Sequence, residues 1–358
     1  MPSTLTDGWA LSPVDQSQSV AASICEKEWA QKLAAYRTPR LRRSLFELIV
    51  TAVPFLTFWV GALIGVKLGY WPSLLLALPA AAFLVRLFAI QHDCGHGSFF
   101  KNRRTNDMLG RVIGVLTLTP YDDWRRSHAK HHAGSGNLDR RGVGDIDLLT
   151  VAEYRALPFR RRLAYRLSRN AIVLLVIAPI YVFILRQRLP SDLFHADRRA
   201  WTSTFSTNFA IAALLSALGL LIGFGPLLLV HVPIILIASA IGIWLFYVQH
   251  QFEHTYWARD PEWSFHKSAF RGSTHYDLPA VLRWLTANIG VHHVHHLVSR
   301  IPSYRLNEVL RHHPELRNIG RLTLAESLRC FRLALWDERR QRLVSFREVG
   351  SACHEVSG

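Results

Sequence analysis

Apolar residues along this chain collect into long runs separated by polar segments. No Lys, Arg, Asp or Glu occurs between Arg199 and Glu253, and a stretch of that length is buried either in a very large core or in lipid. Four runs are predicted to be transmembrane helices, namely residues 45–66, 71–90, 205–222 and 227–248. At ~1.5 Å per residue, each comes close to or exceeds the ~30 Å hydrocarbon core of a bilayer. The pattern therefore predicts an all-α integral membrane protein.

A fifth apolar run, residues 171–185, is interpreted differently. Its 15 uncharged residues are bounded by Arg169, Arg186 and Arg188. Basic residues at both ends favour an interfacial or re-entrant helix over a span. Within the second run, Arg86 lies close enough to the end for its side chain to extend to the membrane interface.

The net charge of +16 does not by itself indicate a function, but the positions of the basic residues do. They flank the apolar runs, for example Arg40 and Arg43 before the first run and Arg160–Arg162 before the fifth. This placement is typical of positive-inside topology and of contact with anionic head groups, and we expect no nucleic-acid partner. The four cysteines are scattered without a CxxC pair, so neither a zinc ribbon nor a disulfide scaffold is predicted.

Histidine carries the strongest chemical signal, since many of the 18 histidines fall into three clusters beside the apolar runs. We call these clusters boxes one, two and three. Their sequences are HDCGH at 92–96, HAKHH at 128–132 and HHVHH at 292–296. A single HxxxH or HxxHH can be an ordinary polar helix face. Three of them at matching places beside membrane runs indicate a metal site.

The spacing of these histidines explains how they would share metals. On a helix, His92 and His96 lie on one face, because residues four apart are neighbours. In an HxxHH pattern all three imidazoles fall within one sector, and the two adjacent ones can reach two neighbouring metals. Eight imidazoles are too many for one tetrahedral zinc. They suit two six-coordinate metals with positions left open for O2, which indicates iron.

Topology provides an independent argument for the same site. If the runs 45–66 and 71–90 form one hairpin and the runs 205–222 and 227–248 form another, all three boxes lie on one side of the membrane. The arginine-rich segments fall on that side, which is therefore expected to be cytoplasmic. A span at 171–185 would leave box three across the membrane from the other two.

The boxes and their flanks resemble those of the membrane fatty acid desaturase family, and in particular of bacterial acyl-lipid Δ12/ω6-type desaturases. The segments that carry the resemblance are HDCGHGSFF at 92–100, NLDRRGVGD at 137–145, NIGVHHVHHL at 288–297 and SRIP at 299–302. The resemblance covers roughly residues 40–330. These motifs are specific for the superfamily and much less specific for the position of the double bond.

The resemblance implies four transmembrane helices that carry a cytoplasmic helical cap with a histidine-ligated di-iron site. It implies an O2-dependent oxidoreductase that takes two electrons from a separate donor, ferredoxin-like or cytochrome b5-like, since no HPGG haem motif occurs. Membrane lipid acyl chains are the implied substrate. The implied iron ligands are His92, His96, His128, His131, His132, His292, His295 and His296, with His250 as a ninth from the position after the fourth span.

The domain organisation expected on this basis has three parts. Residues 1–40 form a partly disordered cytoplasmic segment, residues 41–335 the desaturase domain and residues 336–358 a C-terminal tail. Both termini and the active site are expected on the cytoplasmic side of a bacterial inner membrane.

Several alternatives stay open at the level of sequence. His254 competes with His250 as a ligand, and His293 competes with His292. Asp93 either orients a ligand imidazole or caps a helix, and Trp124 either lines an acyl channel or anchors at the interface. The reaction itself has rivals in Δ9 or Δ5 desaturation, lipid hydroxylation and carotenoid ketolation. A membrane metal transporter or sensor is disfavoured, because His231 is nearly the only polar group of its kind inside a run.

Overall fold

The computed structural model describes residues 26–142, 144 and 147–351 and is mostly helical. The chain before residue 26 lies outside the described residues, so the disorder expected there stays a prediction. The α-helices are α1 (Glu26–Leu33), α2 (Leu41–Lys67), α3 (Ala77–His96), α4 (Arg103–Leu116), α5 (Tyr121–Gly134), α6 (Val151–Ala156), α7 (Phe159–Ser168), α8 (Arg198–Ile222), α9 (Phe224–His250), α10 (Phe265–Arg271), α11 (Ala280–Leu285), α12 (His292–Leu297), α13 (Ser303–His312), α14 (Leu324–Ser327) and α15 (Phe346–Ser351).

The described chain also contains short strands and π-helical segments. The strands are β1 (Leu149–Thr150), β2 (His275–Asp277), β3 (Arg321–Thr323), β4 (Leu335–Asp337) and β5 (Arg342–Val344). β1 pairs in parallel with β4, which pairs antiparallel with β5, and β2 pairs in parallel with β3. Two π-helical segments, Val173–Ile177 and Ile180–Leu185, occupy the fifth apolar run.

Five helical stretches of the described chain are long and apolar enough to cross a membrane. They are Leu41–Lys67, Trp71–His96, Val173–His195, Arg198–Ile222 and Phe224–His250. Four of them contain the four predicted transmembrane runs. The stretch Val173–His195 contains most of the run 171–185, which was predicted to be an interfacial or re-entrant helix.

The stretch Trp71–His96 is the central one. In its most apolar window 61% of the residues are buried, against 33% or less in the other four stretches. Its buried side chains, such as Phe83, Leu84 and Leu87, belong to the largest core cluster, together with Phe55 from α2 and Ile234 from α9. Because this helix continues without a break from the apolar run into box one, the core that fixes it also fixes His92 and His96.

The expectation that Arg86 extends to the membrane interface is wrong. Its side chain is only 3% exposed and forms an ion pair with Glu47 of α2. Its Nε donates a hydrogen bond to Thr51 Oγ1 at 3.0 Å. A guanidinium that finds a carboxylate and a hydroxyl on the neighbouring helix no longer has to reach water.

The short elements gather at one end of the apolar helices. Near the start of α2, Ser44 Oγ donates to the carbonyl oxygen of Phe99, which follows α3 (2.6 Å). At the start of α8, Asp197 forms an ion pair with Arg126 of α5 at 2.9 Å. The start of α2, the end of α3 and the start of α8 therefore lie on the same side of the molecule.

The described ends of the chain pack into this same group of elements. Trp29 of α1 belongs to a core cluster with residues of α10, α12 and α13. Residues 336–351, which were predicted to be part of a C-terminal tail, supply most of β4, all of β5 and α15. Trp336 and Leu343 are buried against Leu148 and Trp257.

Candidate metal centre

Box one lies on the last two turns of α3. His92 and His96 are four residues apart on one face, and their ring centroids are 4.7 Å apart. The helix ends at Gly97, whose φ of 67° is in the left-handed region that favours glycine. The termination turns the chain away directly after His96, so both imidazoles stand at the open end of the helix.

Box two lies on the second half of α5. His128, His131 and His132 project towards the end of α3, and His128 Nε2 lies 2.9 Å from His92 Nε2 and 3.0 Å from His96 Nε2. The indole of Trp124 stacks on the ring of His128 with centroids 4.8 Å apart and an interplanar angle of 11°. One turn of α5 therefore holds both a box-two imidazole and an aromatic plane that fixes its orientation.

Box three forms α12, a short helix in which all six side chains are buried. The backbone N–H of His292 donates to the carbonyl oxygen of Thr274 at 3.0 Å, which ties the helix to the start of β2. His292, His295 and His296 face the other boxes. His293 faces away, and its Nε2–H donates to the carbonyl oxygen of Leu316 at 3.0 Å.

His250, the last residue of α9, joins the boxes. Its Nδ1 lies 3.1 Å from the carbonyl oxygen of Gly272. Because a carbonyl can only accept, Nδ1 carries the proton and Nε2 keeps its lone pair. That Nε2 lies 3.1 Å from His292 Nε2. By contrast, His254 is exposed and belongs to neither group of clustered histidines.

The structure brings all nine histidines of the predicted ligand set into two adjacent groups. Within each group the candidate ligand atoms lie within 4.8 Å of one another. The first group consists of His92, His96, His128, His132 and His295, and the second of His131, His250, His292 and His296. The adjacent pairs of boxes two and three are split between the groups, as the spacing predicted.

The donor set in these groups fits metal ions better than it fits a hydrogen-bonded network. His128 Nε2 lies within 3.1 Å of three other Nε2 atoms, those of His92, His96 and His132. A neutral imidazole carries one N–H, so a single nitrogen cannot satisfy three such contacts with protons. Lone pairs that converge in this way match the coordination sphere of a cation.

Burial keeps these imidazoles in the form that binds metal. For the five group members in α5 and α12 whose shifts are resolved, burial first and neighbouring imidazoles second lower the pKa well below the usual value for histidine; these are His128, His132, His292, His295 and His296. Such side chains are neutral at physiological pH. A metal can therefore bind without displacing protons from them.

Two acidic residues in or near the boxes have structural partners. Asp93 Oδ2 accepts from the backbone N–H of Ser303 at 2.8 Å, whereas its Oδ1 is 3.9 Å from His92 Nδ1, too far for a hydrogen bond. Asp93 therefore caps α13 and does not orient His92. Asp139 accepts from Arg259 Nη1 at 2.7 Å, and Asp145, within the NLDRRGVGD segment, lies outside the described residues.

A largely apolar cavity of about 390 Å³ opens next to the two groups. His92, His128 and His292 form its polar end, and Trp124 lines it beside them. Its apolar walls come from α3, α9 and the π-helical segment Ile180–Leu185, and include Leu84, Phe88, Val182, Phe183, Ile235 and Phe246. This placement favours the channel interpretation of Trp124.

Most of these wall residues were not identified from the sequence. Val182 and Phe183 carry no local signal, because an apolar residue that lines a channel cannot be told from one that faces lipid. Gly242 was also missed; it lines the cavity on α9, and apart from the adjacent residues and the backbone of its own helix no atom lies within 4 Å of the position a Cβ would occupy. The signal in the sequence was a glycine within the apolar run 227–248; the open space beside it is visible only in the structure.

Comparison with known proteins places the chain in a family. Residues 68–323 match the family model described as fatty acid desaturase. The chain is 46% identical to a fatty acid desaturase of Bacillus subtilis (strain 168) over 324 residues, which cover 90% of this chain and 92% of that protein. Both matches extend over all three boxes.

Two more distant relatives have names that specify a reaction. An sn-1 acyl-lipid omega-3 desaturase (ferredoxin) of Synechocystis is 31% identical over 62% of this chain and 61% of its own length. An acyl-lipid omega-3 desaturase (cytochrome b5) of the endoplasmic reticulum of Arabidopsis thaliana is 30% identical over 62% of this chain and 58% of its own length. The chain thus spans about three fifths of these two relatives. Together with the longer match, these findings show that the chain belongs to the fatty acid desaturase family.

Proposed function

We propose that this member of the fatty acid desaturase family introduces a cis double bond into the acyl chains of membrane lipids, with two iron ions held by the nine clustered histidines. The observation that carries the proposal is the apolar cavity that ends at His92, His128 and His292. A membrane oxidoreductase that acts on a hydrocarbon needs both a metal site and an apolar approach to it.

The chemistry explains why a metal is required. An unactivated methylene has no acidic proton, so no side chain can break its C–H bond by acid–base catalysis. When bound, two irons supply the O2-dependent oxidation that removes two hydrogens. The side chains then position the metals and the substrate. His250, for example, is held by Gly272 with its Nε2 lone pair facing the second group.

The cavity walls would hold the acyl chain in place. Trp124 and Phe88 contact each other edge to face with ring centroids 5.5 Å apart, and both line the cavity. Aromatic walls of this kind exclude water and restrict the chain to an extended path beside the imidazoles. Where the double bond forms then depends on how far the chain slides past the metals.

Four transmembrane helices and a cytoplasmic cap are the topology we propose. His132 and His250 lie in adjacent groups at one end of the molecule, so the chain between them crosses the membrane an even number of times. Helices α8 and α9 account for two crossings, because α8 begins beside box two and α9 ends at His250. Val173–His195 would then be a re-entrant or interfacial segment. Basic residues on the side of the boxes support a cytoplasmic orientation, which in a bacterium means the inner membrane.

We further propose a Δ12/ω6-like specificity and a separate electron donor. The Δ12/ω6-like specificity is supported by the residues that flank the histidine boxes. The two relatives described above whose names give the position of the double bond are omega-3 desaturases. Their names also specify ferredoxin in one and cytochrome b5 in the other, which supports a donor of either kind. Reconstitution of turnover with each donor in turn would identify the one this chain uses.

Expression followed by lipid analysis tests the reaction. In a host that makes monounsaturated lipids, we expect gas chromatography to show a new diunsaturated acyl chain. A new Δ9 or Δ5 double bond in saturated chains would contradict the proposed Δ12/ω6-like specificity but support desaturase activity. Hydroxylated lipids or oxidised carotenoids without a new double bond would overturn desaturation.

Metal analysis tests the site. We expect two irons per purified chain, and we expect His250→Ala to lose iron and turnover while remaining in the membrane. His254→Ala is the matched control, because this exposed histidine four residues later lies in neither group. Full iron content in His250→Ala, or stoichiometric zinc in the unmodified protein, would contradict the proposed centre.

A further inference from the structure

A second cavity, of about 410 Å³, lies where α2 begins, and we call it the arginine pocket. It is bounded by the start of α2, by α11 with the residues that follow it, and by α13. Its basic side chains are Arg40, Arg43, Arg283 and Arg311, and its acidic side chain is Glu308. Trp284, Asn288, Tyr304 and Asn307 supply an aromatic wall and further hydrogen-bonding groups.

The acidic neighbours do not neutralise these arginines. Glu308 pairs with Arg40 at 3.3 Å but also binds Arg305 at 3.0 Å. Glu47, which pairs with Arg43 at 2.5 Å, also pairs with the buried Arg86. Each carboxylate therefore serves an arginine outside the lining as well as one inside it.

The same sharing occurs at Arg283. Its Nη1 is 3.9 Å from Asp277, and this carboxylate pairs more closely with Arg321, at 2.8 Å. With four guanidinium groups and one carboxylate in the lining, the pocket carries excess positive charge. The planar guanidinium of arginine prefers partners that accept two parallel hydrogen bonds, of which carboxylate and phosphate are the common ones.

Exposed apolar side chains lie next in sequence or close to the residues that line the pocket. Leu41 and Phe46 on α2 are 63% and 50% exposed, and Val281 on α11 is 68% exposed. Two contacts hold the ring of Trp284, which forms part of the aromatic wall. The Arg86 guanidinium lies 4.2 Å from the centre of this ring, and Phe83 packs against it edge to face. An anion that binds here would therefore have an apolar surface beside it.

We propose that the arginine pocket binds the phosphate of a phospholipid whose acyl chains lie along the exposed apolar faces of α2 and α11. A phospholipid combines the two features that the pocket and its rim require, an anionic group and a hydrocarbon part. This site is separate from the metal centre and does not depend on the reaction proposed above.

The apolar cavity that ends at His92, His128 and His292 is called the acyl cavity from here on. The arginine pocket and the acyl cavity share one segment of chain. Asn288 lines the arginine pocket, whereas Thr286 and Ile289 line the cavity that ends at the histidines. Ala287 and Asn288 both have positive φ, 52° and 59°, so consecutive residues of this segment turn to opposite sides. A phospholipid in the pocket would thus contact Asn288, four residues before His292, on the opposite side of this segment from the acyl cavity.

Binding of short-chain lipids to the full-length protein in neutral detergent tests the proposal. The probe is dioctanoylphosphatidylglycerol, and the comparison ligands are dioctanoylglycerol, which lacks phosphate, and inorganic phosphate. We expect the phospholipid to bind most tightly. We expect the double variant Arg283→Gln/Arg311→Gln to weaken it by about tenfold or more, since a charge-assisted hydrogen bond contributes ~1.5–3 kcal/mol.

Two further variants separate recognition from general charge and from misfolding. Arg339→Gln/Arg340→Gln removes the same charge from exposed positions between β4 and β5 and should leave the affinity unchanged. Arg283→Lys keeps the charge but loses the planar fork, and we expect an intermediate loss. Equal weakening in the Arg339→Gln/Arg340→Gln variant, or equal affinity for dioctanoylglycerol, would overturn the proposal.

Two other results would replace the phospholipid with a different ligand. Inorganic phosphate that binds as tightly as the phospholipid would make the pocket a free-phosphate site. Unchanged phospholipid affinity in the double variant, together with a weaker salt dependence of donor-supported turnover, would make it a docking site for an acidic electron carrier.

Discussion

His292 and His293 are neighbours in the third box, yet their rings point in opposite directions. His292 Nε2 lies 3.1 Å from His250 Nε2, inside the second histidine group. His293 is equally buried, but its Nε2–H donates to Leu316 and its ring lies beside Phe270. One residue along a helix rotates a side chain by about 100°, which separates a candidate ligand from a structural histidine.

This difference predicts opposite results for the two positions. His292→Ala should lose iron and activity, because it removes an imidazole from the four-membered group. His293→Gln should keep both, because its amide can replace the donor to Leu316, with at most a modest loss of stability. Iron content and turnover of the two purified variants check this. Iron loss in His293→Gln with iron retained in His292→Ala would reverse the assignment.

His275 predicts a pH effect away from the candidate ligands. It lies in β2, and its Nδ1–H donates to the carbonyl oxygen of Arg317 at 2.6 Å. Burial lowers its pKa below the usual value, so the unfolded chain takes up a proton first as the pH falls. The stability that this histidine contributes is therefore present above the unfolded pKa of ~6.5 and is lost as the pH falls towards its folded pKa.

We expect the unfolding temperature to fall between about pH 7.5 and pH 5.5, and to fall less in His275→Asn, which keeps a donor for Arg317. Thermal unfolding of both proteins at equal iron content measures the difference. Identical pH profiles would show that His275 does not contribute.

At the scale of single residues, the sequence predicted which histidines cluster better than it predicted the direction in which each side chain points. The nine clustered histidines were all named from box spacing and family resemblance, and the structure brings them together. The choice between His292 and His293 depended on helical phase. Six residues of helix flanked by irregular chain do not reveal that phase in one sequence.

At the scale of elements, the ion pair between α2 and α3 is the feature that local sequence did not reveal. Glu47 and Arg86 lie 39 residues apart in the chain and are both almost completely buried. The prediction that Arg86 reaches the interface treated its helix alone. In the structure, Arg86 pairs with Glu47 on the neighbouring helix and does not reach the interface. Arg43 is a second cation beside Glu47, at 2.5 Å.

Removing one partner of this pair should be costly. Glu47→Gln leaves the buried Arg86 guanidinium without its counter-charge, and breaking a buried pair in this way typically costs ~3–5 kcal/mol. We expect a marked fall in the unfolding temperature in detergent, partly recovered in Glu47→Gln/Arg86→Met, where no buried charge is left. Thermal unfolding of the single and double variants measures this. A single variant as stable as the unmodified protein would show that the pair contributes little.

The short strands were also beyond sequence prediction. β1 has two residues and pairs with β4, nearly 190 positions later, at Leu149–Leu335 and Thr150–Trp336. Alternation of polar and apolar residues cannot be recognised over two or three positions. The long apolar helices were predicted because their signal is local and repeated over about twenty residues.

At the scale of the whole molecule, the acyl cavity is formed by parts of the chain that are far apart in sequence. Phe88, Trp124, Phe183 and Phe246 come from four different elements and meet only in the folded protein. Box spacing could therefore predict the metal-binding end of the cavity but not its walls. The walls decide how an acyl chain would lie, and they are the part of the site that a single sequence leaves open.

Gly242 offers a direct test of whether acyl chains occupy this cavity. It lies on α9 eight residues before His250, about 12 Å along the helix at ~1.5 Å per residue. Apart from the adjacent residues and the backbone of its own helix, no atom lies within 4 Å of the position of an added Cβ, and the residue lines the cavity. Gly242→Leu should therefore fill part of the cavity without a clash with the backbone. It should not weaken the helix, since glycine is the poorer helix former by ~1 kcal/mol.

We expect Gly242→Leu to reduce turnover of long acyl chains several-fold and to shift the product towards shorter chains, while iron content stays at the level of the unmodified protein. The matched control is Gly225→Leu, on the first turn of the same helix and outside the cavity wall. There too an added Cβ meets no atom within 4 Å apart from the adjacent residues and the backbone of its own helix. This control should keep the original chain-length profile. Gas chromatography of lipids from cells that express each variant measures the profile. If Gly242→Leu and Gly225→Leu gave the same products as the unmodified protein, the acyl chain would have to approach the histidines by another path.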